Sequence, residues 1–199
     1  MRERLAAVMG HGAAPRSSQV RKENAMRRIR VVVALGAMLG MFGGVVTASP
    51  ALAGRGHKWE VFPAPPATTF PASFCGFKVR VTTPVDKEFI KVLKAADGSM
   101  TFIFTGSFRH SYTNLSTGKT ITENASASSK FTGHADDSVT AVSRGRNSSF
   151  LTPADAKRFG LPTISILTGR LTLSFDANGN ITSLSLKGHV LVDVCAALS

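Results

Sequence analysis

From Phe77 onward the chain changes character with every residue. Phe77, Val79 and Val81 alternate with Lys78, Arg80 and Thr82, the two-residue period of a half-buried β-strand. Glu88 to Lys94 fits two templates. Phe89, Ile90 and Leu93 set against Lys87, Lys91 and Lys94 suit a short helix. Asp97-Gly98 then reads as a hairpin turn into the strand Met100 to Thr105, which favours strand for 88–94. Arg109 to Asn114 and Thr120 to Ser126 form a second pair around Ser116-Thr117-Gly118. Ser138 to Ser143 follows a polar turn at Asp136-Asp137. Thr152 to Gly160 is the one helical turn expected: Thr in the N-cap position, Pro153 at the first helical position and Gly160 just past the end. Ile164 to Leu167, Leu171 to Phe175, Ile181 to Leu186 and His189 to Val194 complete the pattern, with a turn at Asp176 to Asn180. Short strands at this spacing predict an all-β fold with one antiparallel domain. Successive hairpins favour an up-and-down β-barrel over a β-sandwich.

The region before Phe77 carries a different pattern. Gly54 to Phe74 is rich in Pro, Ala and Gly, contains the single Trp of the chain, Trp59, and reads as an extended lead or linker. Upstream, Arg27, Arg28 and Arg30 precede the uncharged apolar run Val31 to Val46. Ala51-Leu52-Ala53 supplies a small-residue cleavage site, so 26–53 is read as a secretory signal peptide. The run is shorter than the roughly 20 apolar residues a membrane span needs, and no second one follows. Residues 1–25 do not fit such a peptide. If Lys22-Glu23 is encoded AAG-GAG it spells a bacterial ribosome-binding site, and translation is expected to start at Met26.

Trimming changes the charge. The chain as a whole is formally +12, but the first 53 residues hold eight of its 24 Lys and Arg and two of its 12 Asp and Glu, which leaves +6 for residues 54–199. Those cations are dispersed, which excludes a concentrated nucleic-acid footprint and suits contact with an anionic cell-wall polymer. The mature chain is expected to be secreted and monomeric, with no membrane span. Its two cysteines, Cys75 and Cys195, lie at either end of the patterned region and in an exported protein read as a disulfide. No His or Cys lies at ligand spacing beside them, so no metal is expected there, and no cofactor is called for.

Candidate chemistry is sparse. Leu115 to Thr120 ends like a phosphate-binding loop, but position 113 is Thr where the motif needs Gly, and both flanks read as strands. Arg144-Gly145-Arg146-Asn147 is the candidate ligand-binding stretch. The two Arg are spaced to share one strand face, where they would hold a carboxylate or phosphate of a small-molecule ligand bidentately. His110, Glu123 and His134 are the residues around which an isomerase, cyclase or hydrolase would be built, provided they converge in one pocket. Asp136-Asp137 beside His134 is ordinary turn chemistry. Tyr112, the lone Tyr, has no recognisable partner.

Four segments together resemble a group of small exported actinobacterial single-domain proteins without an assigned function: Cys75-Gly76-Phe77, Thr113 to Thr120, Gly145-Arg146-Asn147, and Asp193 to Leu198. The resemblance covers roughly residues 75–198. It implies a strand at 88–94 and the pairing of Cys75 with Cys195, and it lends no activity. The sequence therefore reads as a secreted β-domain, a binding module for a small apolar or anionic ligand or for the cell envelope, with a secreted enzyme as the alternative.

Overall fold

The computed structural model describes residues 58–199, so the signal peptide and the leader read at 1–53 lie outside the described residues. Two short strands come first, β1 (Glu60–Val61) and β2 (Thr68–Phe70). Six longer ones follow: β3 (Val79–Lys94), β4 (Met100–Asn114), β6 (Ala127–Gly133), β7 (Val139–Phe150), β8 (Ile164–Phe175) and β9 (Ile181–Asp193), with the short β5 (Thr120–Asn124) between β4 and β6. All pairings are antiparallel, in the order β1-β3-β4-β6-β7-β8-β9, with β2 also on β3 and β5 also on β4. The antiparallel hairpins are as expected, except that β6, to which the sequence pattern assigns no strand, joins β5 in pairing with β4. The ladder is open: among the described residues β9 is hydrogen-bonded only to β8, so the sheet does not close on itself.

The residues read as a lead do not simply hang ahead of the domain. β1 pairs with Phe89–Ile90 and β2 with Val79–Val81, both along the outer edge of β3. Phe62 packs edge-on against Phe104 at 5.1 Å, and Phe70 stacks on Phe150 at 4.9 Å. These aromatics recover by burial what the Pro-rich backbone between them lacks in pairing.

The sequence pattern divides most long strands in two, and the structure joins the halves. The strands read at 77–82 and 88–94 are one strand, β3, with a register shift between Thr82 and Val85 where Pro84 lacks an N–H to pair. Similarly, β4, β8 and β9 each run straight through the apparent gap, which is marked by Gly106, Gly169 and Gly188. The register lines these glycines up: Glu88 faces Gly106, Ala127 faces Gly145, Gly145 faces Gly169, and Gly169 faces Gly188. At Gly169 (φ 107°) a Cβ would collide with the Lys187 carbonyl, and at Gly188 with the Thr168 carbonyl. The glycines are there because backbones pass too close for a side chain, and the sheet bends along their row.

That row separates two cores. On one side Ile90, Phe102, Phe104, Phe131, Val139, Ala141 and Phe175 pack together. On the other, Phe70, Val79, Val81, Tyr112, Ile164, Ile166, Val194 and Leu198 do so. Phe102, Phe104 and Phe175, with Leu173 packed against them, fill the first core rather than line a cavity. Cys75 and Cys195 are disulfide-bonded beside the second, with Cα atoms 5.1 Å apart.

Two helices complete the fold. α1 (Pro153–Phe159) has the expected caps: Thr152 Oγ1 accepts from Asp155 N, and Gly160 is left-handed at φ 66°. α2 (Val194–Leu198), of which the sequence pattern places only Val194 in the last strand and assigns nothing to the rest, is started by Asp193, whose carboxylate accepts from Ala196 N. It buries Val194 and Leu198 completely in the second core.

Candidate functional site

Alternation decides which residues face out. Inward residues of β3 beyond its bulge are even-numbered (Ile90, Val92), so Lys87, Phe89 and Lys91 point outward. β4 likewise turns Phe102, Phe104, His110 and Tyr112 inward, and presents Ser107 and Arg109 outside. Between these strands and the β5–β6 junction the outer surface is dished. The bulge at Thr82–Val85 bends β3. At the junction Ser126 substitutes its side chain for ladder atoms: its Oγ accepts from Phe108 N at 2.9 Å and donates to Phe108 O at 3.2 Å. The result is a shallow groove of about 270 Å³ lined by Val85, Lys87, Ser107, Arg109, Asn124 and Ser126, with Phe108 at its floor. Two cations, two hydroxyls and an amide in one concavity form a surface for a polar, negatively charged ligand.

Beside the groove runs a cationic row. Arg144 of β7 lies directly opposite Arg170 of β8, and Arg170 directly opposite Lys187 of β9. All three are exposed. Neighbouring positions of this kind place Cβ atoms about 5 Å apart, where like charges repel. Two cations elsewhere are engaged: Lys119 donates to Ser199 O, and Arg158 donates to the Ile181 and Thr182 carbonyls. No such bond engages the three in the row among the described residues.

Of the stretch 144–147, Arg144 belongs to this row. Gly145 (φ 107°) separates it from Arg146, which is exposed with Thr168 opposite, and Thr168 in turn faces His189. Asn147 is partly covered and paired with Leu167. Arg170 and Lys187 carry no local motif. Only the strand register brings them to Arg144, and no sequence signal short of that register would have found them.

The enzyme candidates divide. His110 and Glu123 are partners across the β4–β5 ladder. His134 is elsewhere, in the β6–β7 turn, where its Nε2 lies 3.0 Å from Thr140 Oγ1 and Asp136 accepts from Ser138 N and Oγ. His110 instead joins a buried trio. Its Nδ1 is 2.8 Å from Ser148 Oγ, and Tyr112 Oη is 3.0 Å from the same hydroxyl and 3.3 Å from the ring nitrogen. The partner Tyr112 lacked in the sequence is thus supplied by β7. Burial holds the His110 pKa down at about 4, so the ring is neutral. Burial also raises the Tyr112 phenol, a shift that its bond to Ser148 opposes and the charge of Glu123 reinforces. Whichever tautomer His110 takes, Nε2 has no partner. Phe108 and Phe150 flank the ring at 4.4 and 5.8 Å. His110 is 3 % and Tyr112 0 % exposed, and Ser148 is half-buried, so the His and Tyr side chains face the interior rather than the groove.

Asp86 and Glu88 make a second inward polar pair, on the same face as Ile90. Burial first, and then the Asp86 charge, lift the Glu88 carboxyl to about 7. Asp86 Oδ1 accepts from Glu88 N, while Oδ2 is buried without a partner. Among the described residues no three His, Cys, Asp or Glu are grouped to hold a metal, and no helix is long and apolar enough to cross a membrane.

No known family, curated protein or solved structure matches the chain.

Proposed function

We propose that this protein is an exported binding module that holds an anionic polymer of the cell envelope on the outer face of its sheet. One observation carries the reading: Arg144, Arg170 and Lys187 stand side by side on three adjacent strands, exposed and without acidic neighbours in the row. Opposed like charges destabilise a sheet by roughly 0.2–1 kcal/mol per pair. A polyanion lying across the row removes that repulsion and gains a charge-assisted contact at every strand. Export rests on the signal peptide read at 26–53 and accords with the Cys75–Cys195 disulfide, a bond of oxidising compartments. Membership of the exported actinobacterial group goes with the same reading, as does action as a monomer. Burial of His110 and Tyr112 away from the outer face favours binding there over catalysis.

The test replaces Arg144, Arg170 and Lys187 together by Gln and measures binding to polyphosphate and to polygalacturonate across a salt series. The native protein should bind with an affinity that falls steeply with salt. In the triple variant the slope of log affinity against log salt should flatten by roughly one unit per cation removed. The same variant should be more stable than the native protein in urea, because the repulsion is gone. An unchanged salt slope would sink the proposal.

A further inference from the structure

We infer that the bound polymer is an acidic glycan, held by sugar-stacking aromatics as well as by charge; this rests on the anion-binding reading above. The cationic row continues across the sheet into a different chemistry. Arg144 faces Ser128 on β6; next to the Phe104–Ser129 pair, Thr105 of β4 follows; and Thr105 faces Phe89, which faces Val61. Every residue of this row is exposed. At its far end Trp59, Val61 and Phe89 are 48 %, 74 % and 41 % exposed, the largest apolar exposures among the described residues together with Leu115 and Leu191. The Lys91 ammonium stands 6.0 Å from the Trp59 ring, a cation at the rim of an aromatic platform.

A bare polyphosphate has no use for such a platform. A sugar ring does: one face presents C–H groups that pack on an indole or phenyl face, while its hydroxyls seek amides and hydroxyls at the edge. Those partners are in place. Lys87 is two residues along β3 from Phe89 and on the same face, and the groove it lines adds Arg109, Asn124, Ser107 and Ser126. Aromatic strip, polar groove and cationic row thus adjoin on one outer surface. Stacking, hydroxyl recognition and carboxylate binding fall in the order that a charged polysaccharide lying across the strands requires.

Trp59 is the only Trp, so its fluorescence reports on the platform alone. Titration with polygalacturonate should shift its emission to the blue, and Trp59→Ala should weaken that binding roughly five- to tenfold. Trp59→Phe should retain most of the affinity. Polyphosphate should bind by charge, without moving the emission and without sensitivity to Trp59→Ala. Circular dichroism of both variants guards against misfolding. Equal binding of the two polymers, with Trp59→Ala changing neither, would overturn the glycan inference and leave the anion-binding reading standing. Failure of both polymers to bind would remove both.

Discussion

His110 and Glu88 are ordinary titratable residues that burial has pushed in opposite directions, His110 down to about 4 and Glu88 up to about 7. Their effects on stability oppose each other. Below pH 6.5 the unfolded chain protonates His110 but the fold does not, so stability is lost as pH falls from about 6.5 to 4. For Glu88 the unfolded chain ionises near 4.5 and the fold resists until about 7, so stability is lost as pH rises through that window. The native protein is therefore expected to have a flat profile between pH 4.5 and 6.5. Glu88→Gln should unmask the His110 slope, with stability dropping toward acid by about 2–3 kcal/mol. His110→Asn should unmask the opposite slope, smaller because Glu88 is partly solvated. Urea unfolding at a series of pH values checks both, and parallel slopes in the two variants would refute the assignment. Neither shift was legible in the sequence. Glu88 sat in a stretch that also fitted a helix, and His110 was one of three unplaced candidates. Side-chain pKa values depend on what packs against them, and Phe150 and Ser148 of β7 reach His110 only through the tertiary fold.

At the scale of the element, turn chemistry was readable and strand length was not. The turns at Asp97-Gly98, Ser116 to Gly118 and Asp176 to Asn180 stand where the residues predicted, with Gly98, Gly118 and Gly179 all at positive φ. So does α1, because a cap and a C′ glycine act within one turn of chain. β4, β8 and β9 read as two strands each because an internal glycine reads locally as a breaker, as Pro84 does in β3. In the fold, Gly106, Gly145, Gly169 and Gly188 are not breaks but the line along which intact strands bend past one another. Gly169→Ala is accordingly expected to cost roughly 2–4 kcal/mol, since both its positive φ and the Lys187 carbonyl oppose a methyl. Gly118→Asn, with no atom within 4 Å of the new Cβ, should cost no more than about 1 kcal/mol. Denaturant midpoints of the two variants distinguish a packed bend from a simple turn. α2 escaped the reading because five residues are too few for a helical period to declare itself.

For the molecule as a whole, the disulfide joins the start of the patterned region to α2 across 120 residues of sequence. It clamps the second core, where Val194 and Leu198 are wholly buried and the buried Asn114 amide donates to Leu198 O. Reduction, or Cys75→Ser with Cys195→Ser, should lower stability by roughly 2–5 kcal/mol. Amide exchange should rise first at residues 194–198 and leave the Phe102–Phe131 core protected; uniform loss of protection would contradict a local clamp. The pairing of Cys75 and Cys195 could be expected from two cysteines in an exported chain, and the antiparallel all-β class from the two-residue period. Both are properties of composition and local alternation, which act along the chain. The open sheet, the two cores divided by a glycine row, the sealing of His110 and the meeting of Arg144, Arg170 and Lys187 were decided by the tertiary structure alone. Each depends on the register between strands. A shift of one residue would turn every one of those side chains to the opposite face, and register is set by the packing of the whole sheet rather than by any segment of it.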